Sequence, residues 1–175
     1  IHGIITDGGK AANIVPDYAV AQFYVRATTK TYLKELVEKV KNCARAGALA
    51  SGSELVISNY ELSYDNLVTN KTLSDLFVKK WKDAGVLDIN EPKKSTGSID
   101  IGNVSQYVPA IHPYFKICNS DIVAHTVEFA DATKTSYAYD SMISTINALV
   151  LTALEILEDK ELFDSIIDEF NNTEK

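Results

Sequence analysis

Apolar and polar positions follow two different periods along this chain. Residues 1–6 (IHGIIT) form a short apolar run closed by Asp7-Gly8-Gly9. That pattern predicts a strand and a turn, with glycine supplying positive φ and Asp7 bonding its own turn backbone. Residues 10–16 return from the turn, and residues 17–27 (DYAVAQFYVRA) read as a longer strand. Tyr18, Val20, Gln22, Tyr24 and Arg26 share one face of it, and Ala19, Ala21, Phe23 and Val25 the other. The two strands are expected to pair antiparallel. Over residues 29–50 the period lengthens: Leu33, Leu36, Val37, Val40, Ala44 and Leu49 make one apolar stripe, which predicts a helix. Thr29 or Thr31 can cap its start, and Gly52 can end it. Residues 54–62 (ELVISNYEL) read as a third strand. The order β-β-α-β is part of a ferredoxin-like sandwich, which calls for a further strand and helix before Ile1.

The second half has a different composition of elements. Residues 63–69 read as a linker. Residues 70–85 predict an amphipathic helix with Leu73, Leu76, Phe77 and Trp81 inward and Gly85 at its end. Residues 90–94, with Pro92, predict a loop, and residues 111–117 (IHPYFKI) a buried strand that Pro113 edges or bends. Residues 134–157 predict a long apolar helix, and residues 160–171 continue it or form a second, acidic helix. The apolar part at 142–157 is expected to be too short to span a membrane and to be buried instead. The expected fold is mixed α+β or α/β. Residues 1–62 form a partial β-β-α-β domain, 63–69 a linker, and 70–175 part of an α/β domain.

Composition narrows the function classes. With 46% hydrophobic and 23% charged residues the chain reads as globular. A net charge of −7 disfavours a nucleic-acid partner. Cys43 and Cys118 stand far apart with no CxxC spacing, which suggests a reducing compartment, and cytoplasm is the expectation. The chain opens Ile-His-Gly within a predicted strand, without Met, so a piece of a longer protein is expected.

Candidate chemistry is sparse. His125 follows a polar loop and precedes a helix, where an imidazole is available to a metal or to proton transfer, although a capped loop histidine explains it as well. His112, between Ile111 and Pro113, suits a core or supporting role, and His2 stands on the first strand. There is no HExxH, HxD or GxSxG. One histidine with one or two carboxylates falls short of the usual three or four metal ligands. At the other end, Asn13 and Arg26 could take a carboxylate or an oxyanion through an amide donor and a guanidinium fork, or serve as a turn residue and a solvated strand end.

Longer motifs add to this. IHGIITDGGKAANIVPDYAVAQFYVRA resembles the lid, or dimerisation, domain of the dinuclear-zinc aminoacylase and carboxypeptidase superfamily. GSIDIGNVSQYVPAIHPYF followed by AHTVEFADA is similar to the C-terminal part of that superfamily's catalytic domain. The branch it resembles is the amidohydrolases that include p-aminobenzoyl-glutamate hydrolase and β-alanyl-lysine dipeptidase-like proteins. The acidic tail after Asp159 has no counterpart in the resemblance, and Ile99 stands where the family usually has Thr.

The resemblance implies roles residue by residue. His125 would be a metal ligand. Asn13 and Arg26 would hold a substrate carboxylate or developing oxyanion. Gly97 and Ser98 would line the substrate pocket, with Asp100 and His112 in support. The complete protein would be an amidohydrolase or peptidase using two divalent ions, zinc with manganese or cobalt as alternatives. It would cleave an amide bond of an N-acyl amino acid or dipeptide with a free carboxylate. The general base would come from a segment outside these residues, so this chain alone is expected to be inactive. A homodimer through the lid is expected, with no nucleic-acid or membrane partner. The competing expectation is a non-catalytic dimerisation or carboxylate-binding module.

Overall fold

Two strands open the chain in the computed structural model of the protein, which describes residues 1–91, 97–119 and 121–174. β1 (His2–Asp7) and β2 (Val20–Tyr24) pair antiparallel, with His2 opposite Tyr24 and Ile5 opposite Ala21, and the register slips between Ile5 and Asp7. Gly3 faces Phe23, and a Cβ at Gly3 would stand 2.4 Å from that ring, so only glycine lets the phenyl lie across β1. Asp7 turns the chain as its sequence predicts: its Oδ1 accepts from the Gly9 N–H at 3.4 Å, and Gly9 adopts φ +97°. α1 (Lys30–Ser51) follows, capped by Thr29 through Tyr32 N–H and ended by Gly52 at φ +68°. Leu33, Leu36, Val37 and Val40 are its half-buried stripe, whereas Ala44 and Leu49 are exposed.

The chain divides into two compact units, Ile1–Asn66 and Leu67–Lys175. In the first, residues 54–62 are not a strand, contrary to the expectation from their β-rich composition. A strand needs a ladder partner, and among the described residues these join none; side chains hold them instead. The Tyr24 hydroxyl donates to Glu61, and the Tyr60 ring meets Tyr24 edge-on at 5.7 Å. Lys30 ties the start of α1 to the end of this unit, through an ion pair with Asp65 and a 2.9 Å bond from its N–H to Asn66 Oδ1.

The second unit is helical. α2 (Lys71–Asp83), α5 (Ser136–Glu158) and α6 (Lys160–Asn172) pack on one another, with the short α3 (Ile101–Val104) and α4 (Val127–Ala132) between them in sequence. Phe77, Trp81 and Ala148 form the core, joined by Val86, Ile89 and Ile111. Asn70 caps α2 through Leu73 N–H at 2.9 Å. Residues 111–117 are also not a strand; the nearest pairing is a single parallel bridge between Thr69 and Ala110. Pro113 lacks the N–H that a ladder there would use. Of the predicted loop 90–94, residues 92–94 lie outside the described residues. Asp159 separates α5 from α6: its extended backbone breaks the helix, and its Oδ1 caps α6 through Leu162 N–H at 2.9 Å.

α5 corrects one expectation. At 23 residues it is long and apolar enough to cross a membrane by length and composition, and only 17% of its most apolar window is buried. The buried positions are the small ones, Ala138, Thr145, Ala148 and Thr152, at helical spacing along one face. Burial therefore covers a stripe of the helix and not its whole girth.

Candidate functional site

The first unit presents its candidate residues around β2. Asn13 lies exposed in the connection before β2, in a turn where Ile14 N–H donates to Ala11 O at 3.1 Å. Arg26 lies exposed two residues beyond β2. Its guanidinium carbon stands 5.5 Å from the centroid of the Tyr24 ring, within cation–π range. Extended-chain alternation puts residues two apart on one side, and this contact follows from it. Tyr24 is itself held twice, by the edge-on Tyr60 ring with planes at 89° and by its hydrogen bond to Glu61 Oε2. That bond pushes the Tyr24 phenol up to about 12, and burial and the carboxylate's charge act the same way. Tyr24 thus stays a neutral donor across the physiological range. Sequence reasoning placed Tyr24 and Arg26 on one face but gave Tyr24, Tyr60 and Glu61 no role; the alternation was the available signal for Tyr24.

The second unit holds the remaining candidates on loops and short helices. Gly97 and Ser98 lie exposed just before α3. Asp100 occupies the N-cap position of α3 without a side-chain capping bond, and Ser105 at its other end is fully buried. The Ser105 hydroxyl donates to Gly102 O at 2.7 Å and accepts from Val68 N–H at 2.9 Å, which fixes this turn against the chain before α2. His112 is half-buried and meets the Tyr114 ring edge-on at 4.8 Å, in keeping with a supporting position.

His125 has the most unusual backbone of the set. It is the one non-glycine residue with positive φ, +69°, among the described residues. The residue after it explains how that conformation is held. Thr126 Oγ1 donates to Val123 O at 2.8 Å and accepts from Phe129 N–H at 3.2 Å, so one hydroxyl closes the turn and caps α4. The left-handed conformation costs on the order of 1 kcal/mol for a residue with a Cβ, and such strain persists where surroundings over-determine it. The imidazole stands exposed at the tip of this turn. Among the described residues no group of three or more His, Cys, Asp or Glu side chains is placed to hold a metal ion. His125 can offer one nitrogen, and among the described residues no further ligands are gathered with it into a set of three.

No family model matches the chain. It is 36% identical over 173 residues to the Xaa-Arg dipeptidase of Mus musculus, an alignment that covers 97% of this chain and 40% of that protein. It is equally 36% identical over 173 residues to the Xaa-Arg dipeptidase of Homo sapiens, covering 97% of this chain and 39% of that one. The chain spans about two fifths of the length of the curated relatives it matches.

Proposed function

We propose that this chain, similar over nearly its whole length to Xaa-Arg dipeptidases, is the lid and pocket-wall portion of a metal-dependent dipeptidase or amidohydrolase. The observation that carries this reading is the similarity, 36% identity over 97% of the chain, to proteins named Xaa-Arg dipeptidase. The substrate class is a dipeptide or N-acyl amino acid with a free carboxylate. In this reading the first unit is the lid and supports a homodimer, and the second unit carries one wall of the site.

Each residue has a stated task. His125 would hold a divalent ion, zinc by preference, through one ring nitrogen; Gly97 and Ser98 would line the pocket. A bound divalent ion supplies Lewis-acid polarisation of the scissile carbonyl. Arg26 takes the substrate carboxylate in a two-point grip, which orients the amide bond before reaction. Asn13 donates from its amide to the oxygen on which negative charge develops. Asp100 and His112 support the wall beneath. The general base and the remaining metal ligands come from sequence other than these 175 residues.

Two proteins test the reading: the product of the complete reading frame, and the 175-residue chain. The first is expected to hydrolyse dipeptides with a C-terminal Arg or Lys, to lose that activity to a chelator and to regain it with zinc. His125→Ala should lower its turnover by at least about a hundredfold. The 175-residue chain should hydrolyse none of them. Absence of hydrolysis by the complete protein would sink the function, chelator-resistant hydrolysis the metal, and turnover by the short chain the division of labour.

A further inference from the structure

The Tyr24 cluster has a consequence for Arg26 beyond the carboxylate grip. Arginine carries much side-chain rotamer entropy, and a grip on a carboxylate is tighter when that freedom has been removed beforehand. Here an aromatic ring lies under the guanidinium, 5.5 Å from its carbon. The ring cannot turn away readily, because Tyr60 meets it at 89° and Glu61 accepts from its hydroxyl. A carboxylate at the phenol end also enriches the ring in electron density and strengthens its hold on a cation. Tyr60 and Glu61 belong to the stretch 54–62, which joins no ladder among the described residues and is fastened to β2 through these contacts.

We propose that Tyr24, braced by Glu61 and Tyr60, is the positioning residue of the carboxylate clamp: it holds the Arg26 guanidinium over its ring so that the N–H edge meets a substrate carboxylate in one orientation. This rests on the reading of Arg26 as the carboxylate-binding residue. The bracing is also why residues 54–62 carry an adjacent Tyr and Glu at their end.

The test uses the product of the complete reading frame with Tyr24→Leu, Tyr24→Phe and Glu61→Gln. Hydrolysis is measured on a C-terminal Arg dipeptide and on the same dipeptide amidated at its carboxylate. Tyr24→Leu should raise KM for the free acid about tenfold with kcat within about twofold, while the milder Tyr24→Phe and Glu61→Gln should raise it about threefold. The amidated substrate should respond to none of them. The Arg26 side-chain proton resonances report position without any turnover. They should carry an upfield ring-current shift in the wild type and in Tyr24→Phe, and lose it in Tyr24→Leu. Unchanged Arg26 resonances in Tyr24→Leu, or a fall in kcat at constant KM, would overturn the positioning role. A wild-type protein that hydrolyses neither substrate would overturn the proposed function instead, and the Arg26 resonances would then decide the positioning role alone.

Discussion

The two units of this chain use the same helical grammar and reach different ends. Leu67–Lys175 encloses Phe77 at 2% exposure and Ala148 at 0%, with three helices packed around them. Ile1–Asn66 buries no residue at all, although α1 carries a regular apolar stripe. Its order comes from a two-stranded ladder, from the caps Thr29 and Gly52, and from polar ties such as Lys30–Asp65 and Tyr24–Glu61. Such ties contribute about 1 kcal/mol each at most, and a two-stranded sheet is marginal without a covered face. The second unit is held by a buried core, and the first by local bonds and caps.

Deleting one side chain from each unit should expose this contrast most strongly. Phe77→Ala empties the centre of the second unit and should cost about 3–5 kcal/mol. Leu36→Ala removes the same kind of carbon from a half-buried stripe and should cost about 1 kcal/mol. Trp81, the single tryptophan, sits in the damaged core and reports the first change by fluorescence in urea. Amide hydrogen exchange along α1 reports the second. Equal losses in the two variants would mean that the first unit has a covered core after all.

The same contrast separates what the sequence discloses from what it hides. Thr29, Gly52, Asn70 and Gly85 mark helix ends through bonds or φ values set within four residues, so their roles could be read locally. The Leu76–Phe77–Trp81 face was legible for the same reason. Residues 54–62 and 111–117 were misread because β-rich composition states a fit to a pleated surface and says nothing of whether a neighbour is present. α3 escaped notice because four residues carry too little periodicity to register. At the candidate site, His125 could be found as a histidine between loop and helix, but no local pattern announced its positive φ, next to the turn that the Thr126 hydroxyl bridges. The Tyr24–Glu61 bond spans 37 residues, and no spacing rule announces it.

A smaller effect distinguishes caps with and without a buried partner. Asn70 is 4% exposed; its Oδ1 caps α2 while its Nδ2 donates to Ile166 O of α6 at 2.9 Å, across 96 residues. Asn70→Ala removes the cap and orphans a carbonyl, and should cost about 2 kcal/mol. Asn70→Asp keeps the cap acceptor but sets a carboxylate against that carbonyl, so it should rescue only part of the loss. Thr29→Ala in the first unit removes an exposed cap and should cost about 0.5–1 kcal/mol. Urea midpoints would rank the three, and a Thr29→Ala loss as large as that of Asn70→Ala would erase the distinction between the units.

The smallest effect lies on the acid side and again belongs to the second unit. Glu169 on α6 accepts from the N–H groups of Lys71 and Thr72, the first turn of α2, with the Thr72 bond at 2.8 Å. Burial opposes its ionisation, but the bonds from Thr72 and Lys71 and the charge of Lys71 outweigh it and hold the carboxyl below its ordinary value of 4.5. A carboxyl depressed in the folded state binds protons more readily once unfolded. Its stabilisation is therefore complete above pH 4.5 and is lost as pH falls through the lower folded value. Glu169→Gln keeps one acceptor and removes the titration. At pH 6 the wild type should have the higher urea midpoint. The gap should close as pH falls below 4.5, since the protonated acid and the amide then offer α2 similar neutral acceptors. Other acids titrate in both proteins, so the difference between them isolates Glu169. A gap that stays constant from pH 6 into the acid would mean that α6 is fastened to α2 by packing and by Asn70, with no contribution from this carboxylate's charge.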